Sequence, residues 1–314
     1  MAQVTAELPI EGPYDLDRTL AVLTMGRGNP CLRHDQQRAV IAERTPAGPV
    51  VLRVTRREES LEVLAEGDGA EWARPHLAGW LGLEDGSYRF KPGGRLRRLA
   101  IKHAGMRLPR LPVVSARLVQ VVLQQLITFR DACRGWRQLV QRFGEPAPAG
   151  DGLYLPPDSA TLARLPTQHY IECEVLPRHA RVIRHLAQHA VAIERLWAAG
   201  GSGKSGSSGV SHAETLERLS AYLLRQPGVG PWTVGYLRGA GLGDADAVVL
   251  GDYGHPHHVA YFFTGEERGD DEQMLTLLEP YRPNRFRTLM LLILGAPTPP
   301  RRGPRRAPLR RRFR

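Results

Sequence analysis

Short alternating runs of hydrophobic and polar residues fill the first part of the chain. The runs "VVLRVTR" (50–56) and "SLEVLAEG" (60–67) are β-branched or alternating, which is typical of strands, and "REE" between them suits a hairpin turn. The spacing of apolar residues in "EWARPHLAGWLGL" (71–83) indicates a short helix. We therefore predict an N-terminal α+β domain, with its connector, over residues 1–110.

From about residue 113 the apolar residues repeat every three or four positions, which is the period of an amphipathic helix. The longest such pattern covers 115–144 and stops at Gly144. Further helices are predicted over 158–166, 174–200 and 211–225, the last beginning with Ser211 and Glu214 at capping-box spacing. The fold class is therefore mainly α, with a helical domain over residues 111–300.

Two segments have a composition that does not favour regular structure. The stretch "GGSGKSGSSG" (200–209) is rich in glycine and serine and is predicted to be an exposed loop between two helices. The end of the chain, "RRGPRRAPLRRRFR" (301–314), contains eight arginines and no acidic residue. We predict a disordered basic arm attracted to phosphate polymers through counterion release, the alternative being a solvated tail without a partner.

Composition and charge indicate a folded protein with an anionic partner. The 314 residues are 42% hydrophobic and 24% charged, which is ordinary for globular proteins, and the length is sufficient for two domains. Of the formal net charge of +11, eight charges lie in the arm. A second basic stretch, 93–112, mixes arginines with apolar residues and is either a surface that faces an anion or an amphipathic connector.

Membrane, secreted and metal-dependent classes are not indicated. The longest apolar run, 289–296, is shorter than the roughly 18 residues that cross a bilayer, and the N-terminus lacks the pattern of a secretory signal. Cys31, Cys133 and Cys173 match no zinc or iron–sulfur spacing, and the histidines of "HPHH" (255–258) lack the i,i+4 spacing of helical metal ligands. We expect a cytoplasmic protein without a catalytic metal.

The stretch "QPGVGPWT" (226–233) places two prolines and two glycines between two helical patterns, which predicts a tight interhelical turn. Gly228 and Gly230 can take backbone angles closed to other residues and let a partner approach the main chain closely. Pro231 suits the first turn of a helix. A helix N-terminus aimed outward binds anions such as DNA phosphate, although the same pattern also suits a turn without a ligand.

An aspartate follows this turn after about twenty residues. The apolar run of "AVVLGDYGHPHHVAYFFTG" (247–265) ends at Gly251, and Asp252 stands where a new helix or turn begins. Asp252 is a candidate catalytic carboxylate, with ordinary helix capping as the alternative. Asp244 and Asp246 lie in a predicted loop and are second choices.

The segment "LLRQPGVGPWTVGYLRGAGLGDADAVVLGDY" (223–253) resembles the helix-hairpin-helix DNA glycosylase superfamily, and within it the 3-methyladenine DNA glycosylase II family. In that superfamily a hairpin of the form LPGVGPWT is followed at about this distance by an aspartate. The resemblance covers roughly residues 105–295 and implies a two-lobed helical core with the hairpin at about 211–240. An N-terminal α+β domain also suits the family.

The resemblance implies roles for single residues in the reaction. Asp252 matches the catalytic aspartate. Trp232 matches an aromatic residue of the base pocket, at the position where lyase-type relatives carry a lysine, although simple core packing is the alternative for this tryptophan. A chain without that lysine is expected to be monofunctional, since it cannot form a Schiff base there.

The resemblance also implies the contacts with DNA. The hairpin that holds the DNA backbone is matched by Gly228, Val229, Gly230 and Thr233. The segment that enters the duplex is matched by "VLQQLIT" (122–128). Gln125 and Leu126 are candidates to fill the space that the flipped base leaves in the duplex. A monovalent cation, Na⁺ or K⁺, is implied on the backbone carbonyls of Leu224, Gln226 and Val229. We expect no other cofactor.

The remaining pocket positions depart from the family pattern. Tyr253 directly follows the aspartate and is predicted to line or cover the pocket. The family carries a late "PWR"-like triplet where this chain reads "RPNRF" (282–286), so that Asn284 stands in place of the tryptophan, with Phe286 nearby. We predict that Tyr253, Asn284 and Phe286 complete the base pocket, whose altered shape leaves the preferred lesion open.

These features predict a monofunctional DNA glycosylase that removes alkylated purines such as 3-methyladenine from duplex DNA in base excision repair. A carboxylate stabilises the positive charge that develops on the deoxyribose, and a cationic alkylated base leaves without a strong general acid. We expect a monomer associated with the nucleoid and no membrane partner. The alternatives are a non-catalytic DNA-binding protein and a glycosylase of the same fold for another lesion.

Overall fold

The computed structural model describes residues 2–86, 89–148, 152–200 and 210–300. The prediction of a flexible loop at 200–209 falls, apart from Gly200, on residues outside these ranges, and so does the prediction of a disordered arm at 301–314. Within the described ranges the chain is mainly helical, with a small antiparallel sheet near the N-terminus. No helix in these ranges is both long enough and apolar enough to cross a membrane.

Five antiparallel strands form the N-terminal sheet in the order β1-β5-β4-β3-β2. They are β1 Gln3–Pro9, β2 Leu32–His34, β3 Arg38–Thr45, β4 Gly48–Arg56 and β5 Ser60–Glu66. The predicted strands at 50–56 and 60–67 are confirmed as β4 and β5, and the N–H of Arg57 donates to the carbonyl of Ser60 at 2.9 Å to close their turn. A separate pair packs near β3 and β4, namely β6 Glu145–Pro146 and β7 Tyr154–Leu155.

Three short helices pack with the sheet, namely α1 Leu16–Ala21, α2 Ala70–Ala73 and α3 Leu77–Trp80. Leu52 of the sheet and Trp80 of α3 are almost completely buried in the shared core. The helix predicted over 71–83 is not continuous, because a 3-10 turn at Arg74–His76 separates α2 from α3. Pro75 has no N–H to donate within the helix, which explains the interruption.

The helical part follows a connector. Its elements are α4 Leu96–Lys102, α5 Ser115–Leu123, α6 Phe129–Phe143, α7 Ser159–Arg164, α8 Thr167–Glu172, α9 Pro177–Gln188, α10 Ala190–Ala198, α11 His212–Leu224, α12 Pro231–Gly241, α13 His255–Thr264, α14 Asp271–Leu278 and α15 Arg285–Gly295. The helices predicted around 158–166 and 211–225 are confirmed as α7 and α11.

Side-chain caps fix the starts of several helices. Thr128 caps α6, Asp158 caps α7 and Ser211 caps α11, each side-chain oxygen accepting the N–H three residues further on. The serine half of the predicted capping box is therefore confirmed, whereas the Glu214 carboxylate binds Arg218 on the next turn. These caps satisfy N–H groups that the first turn of a helix leaves without a partner.

Two of the predicted long helices are divided in the structure. Helix α5 ends at Leu123 and α6 begins at Phe129, and between them Leu126 adopts a left-handed conformation with φ of 55°. The pattern over 174–200 divides at His189, between α9 and α10. The first break creates the loop that lies against the hairpin described below.

Two hydrophobic cores confirm the two-lobed arrangement of the helical part. The first is built mainly from helices between α5 and α12 and includes Trp136 and Leu237, and the second includes Ala240 and Leu289 from α12 and α15. Helix α12 therefore lies between the lobes. Leu99 of α4 also belongs to the second core, so α4 packs with the helical part, whereas Leu111 further along the connector belongs to the core of the N-terminal domain.

Candidate active site

The turn between α11 and α12 requires glycine at one position. Gly228 has φ of +80°, and a Cβ atom there would lie 2.3 Å from Cγ2 of Val182 on α9. Gly230 has an ordinary extended backbone with φ of −116°, so the expectation of unusual angles at both glycines is wrong for this one. No atom would lie within 4 Å of a Cβ at Gly230, which leaves its main chain open to a partner.

Helix α12 presents its N-terminus at this turn. Gly230 occupies the N-cap without a side-chain hydrogen bond, and Pro231 begins the helix. The N–H groups of the first turn therefore have no helical acceptor and carry the positive end of the helix dipole. Val229 is 7% exposed and fixes the turn to the first core. This arrangement suits a phosphate group, as predicted for the hairpin.

Gln125 and Thr233 brace the hairpin from inside. The Gln125 amide nitrogen donates to the carbonyl of Gly228 at 3.0 Å and to the hydroxyl of Thr233 at 2.8 Å. Thr233 is only 2% exposed, so its side chain braces the hairpin, and the predicted DNA contact at this position is left to its main-chain N–H in the first turn of α12. The bonded Gln125 amide holds the hairpin, which makes it a poor candidate to fill a vacated space.

Leu126 remains the candidate for entering the duplex. Its side chain is 69% exposed on the loop between α5 and α6. The carbonyl of Gln125 accepts a hydrogen bond from Nε2 of His179 at 2.9 Å, which anchors the loop. Burial, together with the charge of Arg178, lowers the pKa of His179 to about 4 although the bond to Gln125 opposes the shift. His179 is therefore neutral near pH 7 and anchors the loop through its Nε2 proton.

Asp252 is held by hydrogen bonds from two directions. Its Oδ1 accepts the N–H groups of Gly254 at 2.7 Å and His255 at 2.9 Å, which caps the start of α13. Its Oδ2 accepts the indole N–H of Trp232 at 2.8 Å. The side chain of Asp252 is 20% exposed, so the carboxylate is fixed in position and still reached by solvent. The structure thus brings the two predicted residues Asp252 and Trp232 together.

The surroundings of Asp252 favour its anionic form. Burial by itself raises the pKa of Asp252, but a positive charge on His255 and the hydrogen bonds just described outweigh burial, and the pKa lies below its ordinary value. Burial also lowers the pKa of His255, with His258 acting in the same direction and Asp252 opposing it. The hydrogen bonds from Trp232, Gly254 and His255 lower the pKa of Asp252 whether or not His255 is charged.

A stack of side chains behind Trp232 was not predicted from the sequence. The Trp232 and Tyr236 rings are parallel within 3° at a centroid distance of 5.4 Å. The guanidinium of Arg117 lies 5.9 Å from the centre of the Tyr236 ring and donates to the carbonyl of Val22 at 2.8 Å. Helical spacing from Trp232 could have indicated Tyr236, whereas nothing near Arg117 in the sequence indicates its role.

The other predicted pocket residues lie in different environments. Phe286 is completely buried in the second core against Gly239, so its assignment to the base pocket is wrong. Tyr253 is 83% exposed beside Asp252 and forms no wall of an enclosed pocket. Asn284 stands at the N-cap of α15, and its side-chain oxygen accepts from Nε of Arg287 at 3.0 Å.

The second-choice aspartates are engaged in ion pairs. Asp244 accepts from Nε of Arg238 at 2.7 Å, and Asp246 binds Arg285 at 2.7 Å. Among the described residues no group of three or more His, Cys, Asp or Glu side chains is placed to hold a metal ion. Asp252 is therefore the candidate carboxylate that this region leaves open for chemistry.

Exposed arginines surround the hairpin and its neighbouring loop. They are Arg130 at the start of α6, Arg178 and Arg181 on α9, and Arg225 at the end of α11. Contacts of α9 with both Gly228 and Gln125 place these helices beside the hairpin. Single arginines spread over three helices give no motif, so the sequence did not indicate them. Together they make this face positively charged and suited to a phosphate backbone.

Comparison with known proteins identifies the fold. No protein-family model and no curated protein matches the chain. A 3-methyladenine DNA-glycosylase structure from Archaeoglobus fulgidus is similar, with a TM-score of 0.74 and 20% identity, covering 92% of this chain and 97% of the other. MBOgg1 in complex with a low-affinity DNA ligand is similar with a TM-score of 0.69 and 14% identity, covering 93% and 97%.

A third similar structure is an 8-oxoguanine glycosylase/lyase from Clostridium acetobutylicum in complex with double-stranded DNA. Its TM-score is 0.59 at 11% identity, and the match covers 83% of this chain and 95% of the other. The first two similarities cover 92% and 93% of this chain, so they extend over the N-terminal sheet as well as the helices. The chain therefore has the fold of the helix-hairpin-helix DNA glycosylases.

Proposed function

We propose that the protein is a DNA glycosylase that removes damaged bases from duplex DNA. The observation that carries this proposal is the Asp252 carboxylate, fixed by the Trp232 indole at 2.8 Å and partly open to solvent. It stands near a helix N-terminus and a set of arginines that suit DNA phosphates. The names of similar structures, among them a 3-methyladenine and an 8-oxoguanine glycosylase, support the same reaction class.

DNA binding and base flipping follow from the hairpin face. The open main chain at Gly230 and the N-terminus of α12 hold one strand through its phosphates. The exposed Leu126 enters the duplex where the damaged nucleotide leaves the stack. Extruding a base costs a few kcal/mol, and less for a damaged pair, which favours lesions over normal nucleotides.

Asp252 assists the breaking of the N-glycosidic bond. The base departs with the electron pair of that bond, and the deoxyribose becomes positively charged in the transition state. The Asp252 anion stabilises this charge, and water then adds to the sugar carbon and loses a proton. A base alkylated on a ring nitrogen is already cationic and leaves without a general acid. We therefore propose alkylated purines such as 3-methyladenine as the substrates, with Trp232 as an aromatic contact for the base.

The proposed enzyme has no lyase activity. Position 232, where a Schiff-base lysine would stand, is tryptophan. The sequence contains the lysines Lys91, Lys102 and Lys204, and no lysine occurs in 210–300, the segment that includes the hairpin and Asp252. A reaction through a covalent imine requires an amine beside the sugar. The protein is therefore proposed to leave an intact abasic site.

The proposed protein is a monomer associated with the nucleoid.

The proposal also includes a monovalent cation at the hairpin. The carbonyls of Leu224, Gln226 and Val229 lie at the C-terminal end of α11 and in the turn, where the helix dipole is negative. The Gln226 carbonyl accepts the N–H of Val229 at 3.1 Å and keeps a second lone pair for an ion. Na⁺ or K⁺ held there would add positive charge facing a phosphate.

The test is base release from methylated duplex DNA, analysed by chromatography. The proposal predicts release of 3-methyladenine and 7-methylguanine from DNA treated with a methylating agent and no release from untreated DNA. Release of 8-oxoguanine alone from oxidised DNA would support the proposed glycosylase reaction and contradict the proposal that the substrates are alkylated purines. Tight binding of both lesion types without release of any base would contradict catalysis and indicate a DNA-binding protein.

A further inference from the structure

A second basic region lies on the surface away from the hairpin. Five exposed cations follow one another along α4 and the segment before it, and we call them the α4 basic surface: Lys91, Arg95, Arg97, Arg98 and Lys102. The sequence contains no aspartate or glutamate between Asp85 and Asp131. A surface of this kind is positively charged by composition and cannot be neutralised by its own neighbours in sequence.

Tertiary contacts do not neutralise this surface either. Among the described residues, none of its five cations forms an ion pair, whereas exposed arginines elsewhere, such as Arg57, Arg74 and Arg218, bind glutamates. Leu96 and Leu99 face the second core and thereby turn Arg97, Arg98 and Lys102 toward solvent. A row of cations without carboxylate partners is expected to attract a polyanion.

A shallow open cleft borders the α4 basic surface and adds aromatic groups to it. Its lining includes Arg95, Arg98, Tyr261, Phe262 and Pro297. Arg95 donates to the carbonyl of Phe262 at 3.2 Å, which ties the surface to the end of α13. Pro297 lies four positions before the arm with eight arginines, so the arm leaves the described structure beside this cleft.

The position of this surface relative to Asp252 follows from α13. The helix begins three residues after Asp252, and its last turn lines the cleft. From His255 at the start of α13, the cleft-lining residues Tyr261, Phe262 and Gly265 lie about 9 to 15 Å along the helix direction, so the cleft is displaced from the Asp252 end of α13. One turn of B-DNA spans about 34 Å, so half a turn on either side of a flipped base covers about 17 Å.

We propose that the α4 basic surface is a second DNA-binding site, which holds the phosphate backbone of the duplex at about half a turn from the flipped nucleotide and further along. The inference rests on the proposed function only in taking duplex DNA as the ligand. Duplex DNA is favoured over an acidic protein because the cations form a row with partly exposed aromatic rings beside them. Glu266 and Glu267 directly follow Gly265, which lines the cleft.

The experiment compares two triple variants of equal charge. Arg97→Gln/Arg98→Gln/Lys102→Gln removes three cations from the surface. The control Arg38→Gln/Arg164→Gln/Arg195→Gln removes three exposed cations from β3, α7 and α10. Affinity is measured by fluorescence anisotropy, with salt titrations, for duplexes of about 10 and about 30 base pairs that carry a central abasic-site analogue.

On the long duplex, the α4 variant is expected to bind about tenfold more weakly than the parent protein, with a salt slope lower by about 2. On the short duplex, its affinity should stay within about twofold of the parent, and the control should match the parent on both. Equal losses in both triple variants, an equal loss on both duplex lengths, or no loss at all would each overturn the proposal. So would weaker binding of poly-L-glutamate with unchanged binding of DNA.

Base release separates this inference from the proposed function. On the short methylated duplex, the α4 variant should release bases at the parent rate, because none of its changed residues touches Asp252 or the hairpin. If neither the parent protein nor any variant releases a base, the proposed function fails. The dependence of DNA affinity on duplex length still tests whether the α4 basic surface binds DNA.

Discussion

The hydrogen bonds that Asp252 accepts serve two roles, because they cap a helix and hold the candidate catalytic carboxylate in place. The backbone N–H groups of Gly254 and His255 occupy one carboxylate oxygen, and the indole of Trp232 occupies the other. These donors make the cap, and they also keep the carboxylate anionic and oriented. The two interpretations that the sequence left open are therefore compatible in the structure.

Replacing Trp232 by phenylalanine tests the contribution of the indole N–H. The hydrogen bond favours the anion of Asp252, so its loss removes one of the causes that lower the pKa of Asp252. Since Asp252 must be anionic, Trp232→Phe is expected to move the acid limb of the pH–rate profile for base release to higher pH. Single-turnover rates measured from pH 4 to 8 would show this shift.

Tyr236→Phe provides the control for that experiment. It keeps the ring that stacks on Trp232 and leaves the donors to Asp252 unchanged. Its acid limb should coincide with that of the parent protein. An acid limb that stays in place in Trp232→Phe would show that the indole does not act on the ionisation of Asp252.

Absence of lyase chemistry is a second prediction at the residue scale. With Trp232 at the lysine position, borohydride should trap no covalent protein–DNA adduct during the reaction. The abasic product should stay uncut until alkali is added. A trapped adduct would contradict the proposal, and peptide mapping would identify the amine that formed it.

Individual site residues were predictable only where a motif fixed them in sequence. Asp252 and Trp232 lie at a recognisable spacing, and the structure joins them by a hydrogen bond. The exposure of Tyr253 and the burial of Phe286 depend on how α13 and α15 pack. No local sequence pattern indicates this packing. Arg117 reaches the site from another helix, so its place depends entirely on tertiary structure.

At the scale of elements, the hairpin depends on contacts from α5 and α9. Gln125 donates to the turn from one side, and Val182 packs against Gly228 on the other. These neighbours restrict the turn to one conformation before any DNA is bound. A preorganised turn loses less conformational freedom on binding than a flexible loop does.

Two glycine substitutions should separate the strained position from the open one. Gly228→Ala forces a side chain into a left-handed backbone and toward Val182, so we expect the free energy of unfolding to fall by about 1–3 kcal/mol. Gly230→Ala should change it by less than about 0.5 kcal/mol, since the added Cβ meets no neighbour. Urea unfolding measures both, and equal effects would contradict the described geometry.

Helices α7 and α11 with their caps were predicted from the sequence, but the break at Leu126 was not. The stretch "VLQQLITFR" (122–130) contains neither glycine nor proline and continues the apolar period. The left-handed Leu126 is held by tertiary bonds, those of Gln125 to His179 and to the hairpin. Such bonds override local propensity, and they involve residues more than 50 positions apart.

At the scale of the whole molecule, the helical lobes meet at α12, and the N-terminal domain reaches their boundary. Arg117 of α5 binds the carbonyl of Val22 after α1, and Asp85 forms a buried ion pair with Arg287 of α15. Periodicity predicted the helices and the α+β domain, and the family resemblance implied the two-lobed helical core. It did not predict that α4 packs with the second lobe.

The stability of the whole molecule should fall in mild acid because of His179. The pKa of His179 is about 4 in the folded protein and about 6.5 in the unfolded chain, so below pH 6.5 the unfolded chain binds the proton first. Stability is therefore lost as pH falls from about 6.5 to about 4, with about 2 kcal/mol lost between pH 7 and pH 5. Urea unfolding at both pH values measures this loss.

His179→Gln isolates the contribution of this residue, since glutamine can donate to the same carbonyl and does not titrate. The variant should lose less stability than the parent protein between pH 7 and pH 5, by about the amount just given. An identical loss in both proteins would show that the acid sensitivity arises from other groups.

The most direct test of the account is base release by Asp252→Asn under single-turnover conditions on methylated duplex DNA. Asparagine can still accept the N–H groups at the start of α13, and Asp270→Asn at the cap of α14 serves as the matched control. The account predicts at least about a 100-fold slower release by Asp252→Asn. It also predicts unchanged affinity for abasic-analogue DNA and a parental rate for the control. Release at the parental rate by Asp252→Asn would contradict it.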